Sequence, residues 1–305
     1  MPTGADKTLR KALRTAVRSL RQFAYSTPLP TRQQKGPPAR RRLGLALGGG
    51  FARGLAHIGV LKVLAENRIP IDALAGTSVG SIVAAGFASG MSVDEMIDET
   101  RKIRWKSFAR WTVDRLGLAT NERMEGLLKR AIPCARFEEL KLPLAVVAAD
   151  LSTGEAVTFR HGELIPPLRA SCSFPGLFVP VRYQGRLLVD GAIVGSVPVA
   201  ALQELGVDAL VGVHLRTNGV HNAPTNIFQV IGQSFQIAQN LNAPSWKEHC
   251  DAIIEPETNE FRWDDFGRAE ELIFEGERAA RAALPALRSL MEPQGILDPY
   301  PVAAR

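Results

Sequence analysis

The sequence predicts an α/β protein. Three apolar runs carry that prediction, each closing on a turn of small or acidic residues. Leu43–Leu47 runs into Gly48-Gly49-Gly50, Ile69–Ala75 into Gly76-Thr77-Ser78-Val79-Gly80, and Arg186–Val189 into Asp190-Gly191-Ala192. The first two pass directly into helix-like stretches. Strand–turn–helix units put turn residues at the carboxyl ends of strands, where α/β sheets carry their chemistry.

The totals agree with a folded domain. The 305 residues are 46% hydrophobic and 22% charged, as in soluble globular chains. No run reaches the roughly 20 apolar residues of a membrane span. Cys134, Cys172 and Cys250 are odd in number and widely spaced, so they give neither a disulfide framework nor a zinc pattern. A reducing, cytoplasmic compartment and a site without metal or cofactor are the expectations. The net charge of +6 is uneven: residues 1–42 hold 11 Lys/Arg and one acid, leaving 26 basic and 30 acidic residues for the rest.

Taken in order, residues 7–25 come first. At about 100° per residue, Leu9, Leu13, Val17, Leu20 and Phe23 fall on one arc, and Lys7, Arg10, Lys11, Arg14, Arg18 and Arg21 oppose it. Such a cationic amphipathic helix suits an anionic membrane surface. It also fits a helix packed on its own domain, or a transit peptide, whose composition it shares. It is no secretory signal, since no uninterrupted apolar core follows the charges. Residues 26–42, with four prolines and no acid, read as a linker ending in the basic cluster Arg40–Arg42. The folded domain is expected from residue 43 to 305.

Leu43–Leu47 reads as a strand, followed by a helix from about Leu55 to Asn67. The glycine turn between them presents bare N–H groups. It is not a dinucleotide fingerprint, because Arg53 stands where the third glycine belongs, and no Gly-Lys-Ser/Thr makes it a P-loop. An oxyanion hole fits it better, with a plain tight connection as the alternative. A second strand ends at Ser78 and a helix follows to about Ala88. Residues 92–132 are expected to be mostly helical, with Trp105, Phe108, Trp111, Leu116 and Leu118 forming either a lid or core. Leu142–Ala149 reads as a buried strand and Val157–Phe159 as its hairpin partner. Ala170–Gly176 is rich in small residues. Ala209–Leu215 reads as a strand, 225–242 and 268–291 as helices, and Pro256–Asp265 as an acidic loop.

Gly76-x-Ser78-x-Gly80 suits a nucleophile on a sharp turn at a helix N-terminus. A serine hydroxyl needs a base. Asp190 could serve directly, if desolvation strengthens it. A Ser–His–Asp arrangement using His214 or His221 also fits by chain order. A non-enzymatic, membrane-docked module is the third reading. His57, one turn beyond the glycine loop, reads as packing or loop support. Arg53 either approaches a phosphate head group or braces the loop by hydrogen bonds.

Together, Gly48-Gly49-Gly50-x-x-Arg53-Gly54, Gly76-x-Ser78-x-Gly80 and Asp190-Gly191-Ala192 resemble, in this order, the patatin-like phospholipases. The resemblance spans about residues 43–290 and takes in Phe137–Pro143, Ala170–Pro180 and Val197-Pro198-Val199. It implies a three-layer α/β/α fold with a central, mostly parallel sheet, and a Ser–Asp dyad without histidine. Ser78 would be the nucleophile and Asp190 the base. Gly48, Gly49 and Gly50 would form the oxyanion hole, with Arg53, Gly76, Gly80 and Gly191 in support. Ala192 stands where the family often has a further glycine, a variant it also uses. The implied activity is hydrolysis of carboxylic esters of phospholipids or lysophospholipids. A peripheral membrane location through residues 7–25 would follow, and no nucleic acid is expected as a partner.

Overall fold

Side chains of the first strand sort by size between two cores. In β1 (Leu43–Leu47) every residue is buried. Leu43, Leu45 and Leu47 enter one core, while Ala46 enters the other. The same alternation recurs in β2 (Ala73–Thr77), with Leu74 opposed by Ala73 and Ala75, and in β5 (Leu144–Asp150), with Val146 opposed by Ala145 and Val147. Strands buried on both faces belong to a sheet covered by a layer on each side. A computed structural model describes residues 40–103, 109–112, 114–215, 223–224 and 227–292. The expected helix over 7–25, the linker as far as residue 39, Trp105, Phe108 and His221 lie outside them.

The central sheet has the order β11-β10-β1-β2-β5-β9-β8, and β6 (Ala156–Phe159) also pairs with β5. The five strands from β11 (Ala252–Ile254) through β10 (Ala209–Val213) to β5 are parallel; β6, β8 (Val181–Tyr183) and β9 (Arg186–Asp190) join antiparallel. β1 lies between β2 and β10, so the winding reverses there. The loop leaving β1 therefore opens at a topological switch point.

On the leucine face lie α1 (Ala56–Glu66), α2 (Val79–Ser89) and the long α8 (Ala269–Met291). α1 and α8 cross closely because both carry glycine at the contact. A Cβ on Gly59 would lie 1.9 Å from the Ile273 carbonyl oxygen, and one on Gly276 equally close to that of Ala56. Lys62 and Arg281 hold Glu277 beside this crossing, at 2.7 and 2.6 Å. On the alanine face lie α6 (Val199–Gln203) and Trp246 near the end of α7 (Ile227–Lys247). The result is a three-layer α/β/α arrangement about a mostly parallel sheet.

Two stretches differ from expectation. Residues 92–132 contain α3 (Val93–Lys102) and α4 (Glu122–Ala131), but also β3 (Arg110–Trp111) and β4 (Gly117–Thr120), which form a small sheet with β7 (Gly176–Phe178). Gly117 pairs with Gly176, and a Cβ on Gly117 would meet the Val179 amide at 2.5 Å. That close approach, invisible in local propensity, draws the segment into a strand. Trp111, Leu116 and Leu118 are exposed rather than core. The basic cluster assigned to the linker is also engaged on the domain. Arg40 pairs with both carboxylate oxygens of Asp72 (2.7 and 2.9 Å). Arg41 reaches the Asp208 carbonyl and Asp251. Arg42 donates through its amide to Asp208 (2.8 Å) and through its side chain to the Gly206 carbonyl (2.9 Å).

Candidate active site

β2 delivers Ser78 at a strained turn. Its backbone sits at φ 54°, ψ −133°, a conformation that costs a non-glycine residue about 1–3 kcal/mol. Both flanking glycines answer to close approach. A Cβ on Gly76 would lie 2.3 Å from the Ser81 Cα, and one on Gly80 2.3 Å from the Leu47 carbonyl oxygen. Hydroxyls hold the turn from either side. The Ser78 amide donates to Ser171 Oγ (2.8 Å), which donates to the Val147 carbonyl (2.6 Å). Ser81 Oγ donates to the Ser78 carbonyl at 2.6 Å.

Strand register supplies Asp190. Thr77 of β2 pairs with Val147, and Asp190 of β9 pairs with the next residue of β5, Ala148. The two chain ends therefore abut, and Ser78 Oγ donates to Asp190 Oδ2 at 2.7 Å. The other carboxylate oxygen accepts from the Ala192 amide (3.0 Å), and the Asp190 amide donates to the Ser173 carbonyl (2.9 Å). Asp190 is 2% exposed. Burial pushes its pKa up to about 7, against the pull of the hydrogen bonds from the Ala192 amide and the Ser78 hydroxyl. Gly191 is dictated by space, since a Cβ there would meet the Val147 carbonyl at 2.2 Å.

The glycine loop lies over this pair. A Cβ on Gly49 would stand 3.3 Å from that of Ser78 and 3.4 Å from that of Ala192. The amides of Gly48 and Gly49 donate to the carbonyls of Val213 (3.1 Å) and Ser196 (3.2 Å). Gly50 precedes the 3-10 turn Phe51–Leu55 and its carbonyl accepts from the Arg53 amide (3.2 Å), while its own amide makes no hydrogen bond to a described residue. His57 props the loop from beneath, with Nε2 2.8 Å from the Gly48 carbonyl. A carbonyl only accepts, so Nε2 carries the proton, and burial lowers the imidazole pKa to about 4. His57 is thus a neutral support. Arg53 has no such partner: among the described residues its guanidinium makes no hydrogen bond or ion pair, and Nε is buried alone. Burial lowers its pKa to about 10, so it stays charged at neutral pH.

Ser78, Asp190, Gly50 and Arg53 line one cleft of about 730 Å³. α7 forms its far wall. Gln229, Gln233, Gln236 and Gln239 face the cleft, and Val230, Ile237 and Leu241 are exposed. Gln239 donates to the Ala192 carbonyl (3.3 Å). Ser171 and this glutamine face escaped the sequence reading. The glutamines do recur at helical spacing, but that pattern ordinarily marks a solvated face.

No histidine among the described residues bonds Ser78 or Asp190. His214 bonds Glu255 (3.0 Å) instead, which also pairs with Lys247 (2.6 Å). The arrangement with His214 as third member is therefore absent. Among the described residues no group of three His, Cys, Asp or Glu side chains could hold a metal ion, and no helix is long and apolar enough to cross a membrane. Chemically, a serine hydroxyl bonded to a buried carboxylate titrating near neutrality can pass its proton to it.

Residues 45–202 match the family model described as patatin-like phospholipase. The chain is 33% identical over 186 residues to an uncharacterized NTE family protein of Mycobacterium tuberculosis, covering 60% of this chain and 51% of that one. It is 32% identical over 207 residues to lysophospholipase NTE1 of Coccidioides immitis, covering 64% of this chain and 13% of that protein. It thus spans about half the length of the first relative and less of the second. Among solved structures, VipD from Legionella pneumophila shares 13% identity at a TM-score of 0.48, over 83% of this chain and 68% of that one.

Proposed function

The chain belongs to the patatin-like phospholipase family, and on that premise we propose that it is a serine lipid acyl hydrolase acting on phospholipids or lysophospholipids through a Ser78–Asp190 dyad. One observation carries the reading: the 2.7 Å bond from Ser78 Oγ to a carboxylate that burial holds near pKa 7. A base is most effective when its pKa lies near the working pH.

Ser78 Oγ attacks the ester carbonyl carbon as its proton passes to Asp190 Oδ2. The developing oxyanion is met by the N-terminus of α2 and by the Gly50 amide, which has no acceptor among the described residues. Gly48 and Gly49, whose amides are engaged, shape the loop and make room beside Ser78. Collapse breaks the ester C–O bond, and the leaving alcohol oxygen takes the proton from Asp190. Water then attacks the acyl-enzyme and gives a proton to Asp190. The Oγ–acyl bond breaks, Ser78 regains its proton and a fatty acid departs.

Arg53 supports a phosphate-bearing substrate. Its half-buried guanidinium, with Nε buried and no acceptor among the described residues, carries an uncompensated desolvation cost, and a phosphate in the cleft would offset it. Residues 7–25 are the proposed contact with an anionic membrane surface. The test is covalent labelling with a fluorophosphonate, followed by a lipid panel read by mass spectrometry of released fatty acids. Ser78 should be the labelled residue, and Ser78→Ala should lose labelling and hydrolysis together. Labelling elsewhere, or hydrolysis surviving in that variant, removes the assignment.

A further inference from the structure

Ser78 borders two spaces of different character. One is the 730 Å³ cleft, where Arg53 and the glutamines of α7 stand among apolar side chains such as Phe174, Phe235 and Trp263. The other is an apolar cavity of about 160 Å³ along α2, which Ser78 also lines. Its walls come from α2, α3 and α4. They include Val83, Met96, Met124 and Leu128, all buried, with Ile132 beyond α4 and Phe178 from the small sheet. Gly86 also lines it, two turns along α2 from Ser78, or about 12 Å at 1.5 Å per residue.

The two spaces sort the halves of an ester. A phosphate or other hydrated head group would lose its water in the apolar cavity with no partner to replace it. An alkyl chain placed there would instead leave water for a lining that is mostly apolar, with Glu99 and Thr100 at its border. An apolar cavity of about 150 Å³ holds a six-carbon ring, so this one accommodates roughly six to eight carbons. We propose that this cavity is the acyl-chain subsite, and that its volume sets a ceiling of medium length on the chain that contributes to binding. The proposal rests on the hydrolase reading for the word acyl, but the cavity can be tested without turnover.

Gly86 and Leu128 provide opposite controls. A Cβ on Gly86 would meet only the flexible ends of Met91 (3.4 Å) and Met96 (3.5 Å). Gly86→Leu therefore fills the cavity from a helix position that glycine does not favour. Leu128→Ala enlarges it.

The experiment titrates n-alkanols of four to twelve carbons into Ser78→Ala protein by calorimetry, alone and with each second substitution. In parallel, p-nitrophenyl esters of the same acyl lengths are assayed on the otherwise wild-type chain and its two variants. Affinity should rise about fourfold per methylene and stop rising at six to eight carbons. The break should move to shorter chains in Gly86→Leu and to longer ones in Leu128→Ala. The ester kcat/KM series should break at the same lengths. An affinity that climbs through twelve carbons, or a break unmoved in both variants while their melts show folded protein, overturns the proposal. A break that moves as stated, without ester hydrolysis by any form, upholds the cavity and counts against the hydrolase reading alone.

Discussion

Ser78 and Asp190 stand 112 residues apart in the chain and 2.7 Å apart in space. Consecutive residues of β5, Val147 and Ala148, receive the strand that leads to one and the strand that ends in the other. The pairing is a property of the sheet, so it needs no third residue to bring the two together. It also takes Asp190 out of water, which sets the pH behaviour of the molecule.

Hydrolysis of a soluble ester should require Asp190 ionised. Its kcat/KM should therefore rise with pH through an apparent pKa near 7 and level off above it. A profile already flat from pH 5 would remove Asp190 as the base.

The same shift has a cost in stability. The folded-state pKa lies above the ordinary aspartate value of 3.8, so between those values the native state binds more protons than the unfolded one. Stability from this group is highest below about pH 4 and declines as pH rises toward 7. Asp190→Asn removes the buried charge. It should raise stability at pH 8 by roughly 2–4 kcal/mol, with no gain at pH 4, while abolishing turnover. Thermal melts at the two pH values decide this, and a lower Tm for the Asn protein at pH 8 would contradict it.

Arg53→Gln separates head-group recognition from chemistry. A charge-assisted bond contributes about 1.5–3 kcal/mol, so kcat/KM on a phospholipid should fall roughly 10- to 100-fold. A p-nitrophenyl ester, having no phosphate, should be hydrolysed nearly as well as by the unaltered protein. Equal losses on both substrates would make Arg53 a brace for the loop.

The histidines divide in the same manner. His214→Gln should leave kcat/KM at its original level, because His214 bonds Glu255 and neither member of the dyad. His57→Phe removes the donor to the Gly48 carbonyl and should lower kcat with little change in KM. The apparent pKa near 7 should stay in place, since it belongs to Asp190. Displacement of that pKa by the His57 change would implicate the imidazole in proton transfer.

The parts of this fold that were legible in the sequence are those whose physics is local. Strands such as Leu43–Leu47 announce burial on both faces, and Gly76, Gly80 and Gly191 mark backbones that approach to within a Cβ's width. Ser171 could not be read, because its role depends on β5 and α2 meeting above it. The pairing of Gly117 with Gly176 is likewise a long-range event that overrides helical-looking neighbours. The glutamines of α7 carry the right spacing with a misleading composition. They line the cleft together with Ile231 and Phe235, while Val230, Ile237 and Leu241 are exposed, a mixture the usual rule does not anticipate.

Composition places Arg40–Arg42 with the tail, but their ion pairs tie them to the domain and change the truncation that tests membrane attraction. Residues 40–305 hold 29 Lys/Arg and 30 Asp/Glu, so the remaining charge is close to zero once residues 1–39 are removed. Near an anionic surface each Lys or Arg contributes about 1 kcal/mol, decaying over a Debye length of roughly 10 Å. Residues 7–25 contain six of them, with Leu9, Leu13, Val17, Leu20 and Phe23 on the opposing arc. A chain starting at Arg40 keeps the pairs with Asp72, Asp208 and Asp251. It should retain its activity on a soluble short-chain ester while floating poorly with anionic vesicles and hydrolysing them slowly, most visibly at low salt. A chain starting at Leu43 loses those pairs as well, and its Tm should drop below that of the longer truncation. Equal flotation of the full chain with anionic and neutral vesicles would sink the electrostatic anchor. Loss of soluble-ester activity on removing residues 1–39 would show instead that the tail supports the catalytic domain itself.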